Sequence, residues 1–220
     1  MIYLSHFINK NTPTYGNRNI FHIEKKSDMK KGDIANDSYI KTTVHIGTHI
    51  DLPYHFYDNA QTLKDYDACF LFFSKPLIVC LENIKDFVIK DELIEKLENI
   101  HDRDYDILLV KTGICHRRHK RLFWEKNYGF SPDIYDYLIE KFPAIRVFGF
   151  DSISISSLTN RNIGRQSHKQ FLNPLKPILL LEDMNLCEVN ELTKLSELII
   201  APMMIEDCDA LPCTVIGKIK

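Results

Sequence analysis

The sequence predicts an α/β fold folded as a single domain over residues 1–220, and three observations carry that expectation. Residues 76–81, 105–110, 145–150 and 178–181 are apolar runs of strand length, the pattern of buried strands. Residues 91–98 have helical spacing, with Leu93, Ile94 and Leu97 on one side, and Ser131-Pro132-Asp133 opens a second helix with a serine cap and a proline in the first turn. At 220 residues the chain is long enough for one substantial core, and one domain is the default.

In chain order, residues 2–8 alternate loosely and read as a short strand. Residues 9–19 are rich in Asn, Thr, Pro and Gly and read as a loop, 21–24 as a strand, and the polar stretch 25–37 as a loop or excursion. Residues 39–46, rich in β-branched side chains, form the next predicted strand. A short helix is expected over 59–66 and a strand over 70–73. The helix opened by Ser131 is expected to run to Lys141. The polar stretch 158–167 reads as a loop, and strands are expected over 197–201 and 212–219. About four helices among several short strands make the fold mixed α/β.

Composition narrows the function. Hydrophobic content of 45% and charged content of 26% are those of an ordinary globular chain. A net charge of −2 gives no electrostatic case for nucleic acid, and 115–121 is only a local basic patch. No apolar run approaches the roughly 20 residues a membrane span needs, so no membrane partner is expected. The first residues turn polar too soon for a signal peptide, and six cysteines without a Cys-x-x-Cys pair read as reduced thiols, so a cytoplasmic location is expected.

The chemistry concentrates in Val44-His45-Ile46-Gly47-Thr48-His49-Ile50-Asp51-Leu52-Pro53-Tyr54-His55. Imidazoles and a carboxylate at this density are the ligand types of zinc, manganese and iron sites. The β-branched residues, Gly47 and Pro53 argue against a helix. On a straight strand His45 and His49 would stand about 13 Å apart, too far for one ion. The chain must therefore bend between them, and Gly47 is the residue that allows it. Beyond the bend His49 and Asp51 are two apart on a strand and share a face. Glu182, after an apolar strand, would be costly if buried without a cationic partner.

The run His-x-Gly-Thr-His-x-Asp-x-Pro-x-His resembles the signature of the cyclase-like metal-dependent hydrolases, which include bacterial kynurenine formamidase and isatin hydrolase. The resemblance extends over nearly the whole chain, through Pro13, Tyr15 and Gly16, Lys111-Thr112-Gly113, Gly149-Phe150-Asp151-Ser152, His168-Lys169 and Glu182-Asp183-Met184-Asn185-Leu186. It implies a barrel-like mixed sheet with helices outside, of the swivelling β/β/α type. It implies His45, His49 and Asp51 as ligands of a first ion, and His168 and Glu182 completing a second bridged by Asp51. The segment between His168 and Glu182 is somewhat longer than the family pattern, with Pro174 and Pro177 in it. Tyr15, Phe56 and Asp151 are the expected substrate contacts. Formamidases of this kind often carry an early tryptophan; the single one here is Trp124, which points to a shifted substrate. His55, beyond the fixed exit at Pro53, is the expected general acid–base.

The expected function is therefore hydrolysis of an amide or N-formyl C–N bond in a small molecule, of the arylformamidase kind, with one or two divalent ions, zinc first and manganese or iron as alternatives. Ring opening of a cyclic amide such as isatin is the second hydrolase reading. A non-catalytic metal-binding protein is the reading from another class, against which His55 stands, since structural zinc sites are closed by four protein ligands. The resemblance also implies a homo-oligomer, a dimer or a dimer of dimers.

Overall fold

The computed structural model describes residues 1–18 and 21–220. Its strands are β1 (Ile2–Tyr3), β2 (Phe21–Ser27), β3 (Asp37–Thr42), β4 (His49–Asp51), β5 (Phe72–Phe73), β6 (Pro76–Cys80), β7 (Val88–Ile89), β8 (Ile107–Lys111), β9 (Gly129–Phe130), β10 (Val147–Phe150), β11 (Leu179–Glu182), β12 (Leu195–Pro202) and β13 (Ala210–Ile219). The α-helices are α1 (Asp91–Glu98), α2 (Leu122–Glu125), α3 (Asp133–Lys141) and α4 (Arg161–Phe171).

Among the described residues the main sheet has nine strands, in the order β5-β12-β13-β4-β11-β10-β8-β6, with β1 beside β13. One half, β6, β8, β10 and β11, is parallel. The other half, β4, β12, β13 and β5, pairs antiparallel. The inner parallel strands are largely apolar because both faces are covered: in β8, Ile107, Leu108, Leu109 and Val110 have no exposed surface. The helices α1, α3 and α4 lie on the connections between these parallel strands. The two edge strands, β5 and β6, are separated in sequence only by Ser74 and Lys75, so the sheet curls until it nearly closes. Arg146 and Asp106 pin this seam. Arg146 donates to the carbonyls of Phe70 and Phe72, and Asp106 accepts from the Ser74 and Lys75 amides. The mixed α/β fold with a barrel-like sheet is thus the one expected.

Several local expectations are corrected. The polar stretch 25–37 is not a free loop but the turn of a hairpin, with β2 paired to β3 outside the main sheet. The predicted strand 39–46 ends at Thr42, because bends occupy the approach to Gly47. The predicted helix at 59–66 is a single 3-10 turn, Leu63–Asp65, and the strand at 2–8 shrinks to Ile2–Tyr3. Asn19, the last residue of the predicted loop 9–19, lies outside the described residues.

The largest correction is α4, which occupies most of the predicted loop 158–167 and continues through His168 to Phe171. Its buried stripe is Gly164, Ser167, His168 and Phe171, which has helical spacing but little hydrophobicity, so an apolar period could not reveal it. Asn160 caps the helix by accepting from the Ile163 amide. The small residue at 164 sets how closely α4 approaches the loop after β10: an added Cβ would lie 2.7 Å from the Ser156 Cα. Gly164→Ala should therefore destabilise the protein by about 1–3 kcal/mol through overpacking. Chemical denaturation of wild type and variant measures this, and equal midpoints would refute the close approach.

Candidate metal centre

The bend expected at Gly47 is present, with φ of 59° in the left-handed region where glycine is at ease. It lets His45 double back on His49, and the two rings lie 5.2 Å apart, edge to face. After the bend, β4 runs between β11 and β13 and is antiparallel to both. Ile50 points into the core, and His49 and Asp51 share the opposite face. The register with β11 sets Glu182 across from His49. On the far side α4 delivers His168, whose ring stacks on Phe56 at 4.7 Å.

These side chains converge on Asp51. One of its oxygens, Oδ1, lies 3.1 Å from His45 Nδ1 and 3.4 Å from His49 Nε2. The other, Oδ2, lies 3.7 Å from His168 Nε2. Glu182 spans the same space, with Oε2 3.4 Å from His49 Nε2 and Oε1 3.8 Å from His168 Nε2. Backbone groups fix the outer ring nitrogens. His49 Nδ1 is 2.8 Å from the Gly47 carbonyl and His168 Nδ1 is 2.9 Å from that of Gly164. Each ring nitrogen facing a carbonyl carries the proton, which turns the lone pair of the other nitrogen inward.

The inward atoms are poorly satisfied by one another. His49 Nε2 and both Asp51 oxygens are buried without a well-formed hydrogen bond. A buried carboxylate in that condition is costly unless a cation joins it. The donor set, three imidazoles and two carboxylates with Asp51 facing both sides, fits a divalent ion of the zinc, manganese or iron type.

Asp209, which spacing did not single out, binds two histidines at once. Its Oδ2 lies 2.7 Å from His45 Nε2 and 2.9 Å from His55 Nδ1. The two imidazoles hold its carboxyl well below the usual carboxylate range. Nothing local marks it, since it lies 154 positions from His55 beside other acidic residues.

The cleft over this centre has a volume of about 320 Å³. Tyr15, His55 and Phe56 line it, as expected of residues near substrate. Asp151 does not. It is fully buried and accepts from the Thr112 amide and hydroxyl and from the Gly113 amide, tying the ends of β10 and β8 together. Its expected contact with substrate is therefore replaced by a structural one. Of the other aromatics, Trp124 borders an adjoining hollow and Tyr54 is partly exposed outside the cleft. The basic segment 115–121 sends Arg118 inward to pair with Asp183 through two bonds of 2.6 and 2.8 Å at the cleft wall. Cys115, His116 and Cys187 also come within 4.8 Å of one another. Burial and the neighbouring Asp151 raise the Cys115 thiol, which disfavours the thiolate a metal needs.

Burial disfavours charge on His45, His49 and His168, but the facing carboxylates outweigh it and raise all three, His45 up to about 10. A histidine raised in this way contributes stability that is complete below its ordinary value of 6.5 and is lost as pH climbs through the folded value. The metal-free protein should accordingly lose thermal stability between pH 6.5 and 8.5, below the ordinary thiol value of 9.0. An ion must displace those protons, so zinc affinity should rise over the same interval. Melting curves with and without zinc test both signs, and a metal-free midpoint that rises with pH would overturn the assignment of charge.

Residues 2–157 match the profile of the Cyclase family, described as "Putative cyclase". A kynurenine formamidase from Bacillus cereus is 26% identical over 209 residues, covering 95% of this chain and 92% of that protein. Isatin hydrolase A from Labrenzia aggregata, solved with benzyl benzoate, is similar in structure, with a TM-score of 0.80 and 19% identity over 98% of this chain and 92% of its own. A structure described as a potential metal-dependent hydrolase with cyclase activity gives a TM-score of 0.75 and 22% identity over 98% and 96%. These two structural likenesses establish the fold.

Proposed function

This chain belongs to the Cyclase family, and we propose that it is a metal-dependent hydrolase of amide or N-formyl C–N bonds. The observation that carries the reading is Asp51, a buried carboxylate between three imidazoles with no hydrogen bond to quench it. His45, His49 and Asp51 would hold one ion, and His168 and Glu182, sharing Asp51, would hold a second. Zinc is the first choice for the metal, with manganese or iron suited by the same donors. When bound, the ion supplies Lewis acidity, making water acidic enough to attack at neutral pH and polarising a carbonyl.

The chain's own residues supply the proton transfers. His55 holds one ring nitrogen on Asp209, which fixes the ring and leaves Nε2 for the cleft. In that position it takes a proton from the attacking water and returns one to the leaving nitrogen. Phe56 and Tyr15 offer apolar walls for an aryl group, which favours arylformamides, with N-formylkynurenine the first to assay since the Bacillus relative is named a kynurenine formamidase. All six cysteines are free thiols, which supports a reducing, cytoplasmic setting. Among the described residues no helix is long and apolar enough to cross a membrane.

We assign a homo-oligomer, with a dimer as the simplest form. Phe72, Ile199 and Met204 are exposed apolar residues around one groove at a sheet edge, the sort of surface a partner covers.

Three measurements test these assignments. His49→Ala should abolish metal retained through purification, read by plasma mass spectrometry, and full retention in both His45→Ala and His49→Ala would remove the ligand set. His55→Ala should keep its metal and lose N-formylkynurenine cleavage, with isatin assayed in parallel, and unchanged turnover would take His55 out of the mechanism. Sedimentation at micromolar concentration should show a species larger than the 25.8 kDa chain, and a monomer alone would refute the oligomer.

A further inference from the structure

We infer that the mouth of the cleft is an anion site, so that the substrate is an amide carrying a carboxylate or phosphate group. This deepens the hydrolase reading and rests on it. Arg18, Arg161 and Arg165 line the cleft together with the metal-facing residues. Among the described residues none of the three forms an ion pair with a carboxylate, whereas Arg118 and Arg121 are neutralised by Asp183 and Glu125. Among the described residues the polar partner of Arg161 that bears on the cleft is the hydroxyl of Tyr15, itself a lining residue.

The placement of these charges runs against the local physics of the helix that bears two of them. Arg161 and Arg165 are four apart on α4, where like charges repel. They occupy its N-terminal half, where the helix dipole is positive, and its first turn holds no acidic residue. Such a pattern weakens the helix unless something negative sits beside it. Among the described residues no carboxylate pairs with either arginine, and both side chains are exposed at the rim, where an incoming anion can reach them.

Geometry gives the ligand a length. His168 is on the same face of α4, three residues past Arg165 and seven past Arg161. At 1.5 Å per residue, the arginines stand about 5 and 10 Å along the helix from the histidine that faces Asp51. A benzene ring between a formamide and an anionic group spans such a gap. An ammonium group at the same place would be repelled, so within the arylformamides a net negative amide suits the cleft better than zwitterionic N-formylkynurenine, which stays the first compound to assay for the hydrolase reading itself.

The test compares 4-formamidobenzoate, its methyl ester and 4-formamidophenyl phosphate on the metal-loaded enzyme. One of the two anions should exceed the ester in kcat/KM by about tenfold or more, through a lower KM, and which one does identifies the group. The double variant Arg161→Gln with Arg165→Gln should lose that preference, the anion's kcat/KM falling to that of the ester in the same variant, and Arg161→Lys with Arg165→Lys should restore part of it. Equal kcat/KM for anions and ester, or a preference unchanged in the Gln variant, would overturn the inference. If no compound turns over, the hydrolase reading fails, and calorimetric binding of the same three compounds to metal-loaded His55→Ala protein still decides the anion site. Tighter binding of an anion that is lost in the Gln background supports it, and equal binding of all three refutes it.

Discussion

The structure turns on a buried carboxylate ringed by imidazoles that face it without a well-formed hydrogen bond. Asp51 has no exposed surface and no well-formed hydrogen bond, yet three imidazoles and a glutamate close around it. A charge in that state costs several kcal/mol unless it is compensated, so everything near it serves to make compensation possible. The left-handed Gly47 folds His45 back. The position of β4 between β11 and β13 brings Glu182 opposite His49, and α4 carries His168 in from outside the sheet. Backbone carbonyls at Gly47 and Gly164 then decide which nitrogen of His49 and His168 faces inward.

The two halves of the sheet divide the labour. The inner strands of the parallel half, β8, β10 and β11, have both faces buried in apolar residues and end near the cleft, where polar groups have room. The antiparallel half carries β4, with His49 and Asp51, and, just before β13, Asp209. The site is thus assembled at the join of the two halves, and a seam of Arg146 and Asp106 holds the curled sheet closed elsewhere.

Much of this was legible in the sequence where a signal is local. The His45–His55 stretch, with its glycine and proline, foretold a bend and a shared strand face because both follow from covalent geometry. Strands β8 and β11 were legible because four aliphatic residues in a row, 107–110 and 178–181, have few other uses. Helix α4 was hidden because its inner face is built from Gly164, Ser167 and His168, which pack by smallness and hydrogen bonding rather than by apolar area. Asp209 was hidden because its partners are remote in the chain. Asp151 was misread because a carboxylate at a strand end has the same local pattern whether it faces a ligand or its neighbours' amides.

Helix α4 also has a mechanical meaning. One rigid rod bears His168 at its inner end and Arg161 and Arg165 toward the rim. A displacement of that rod changes both ends together, so events at the rim and at the centre share one coordinate. Thermodynamic reciprocity then applies: whatever a rim ligand contributes to retention of the ion, the ion returns to the affinity for that ligand. A small cleft with one shared strut would thereby couple its entrance and its centre equally in both directions.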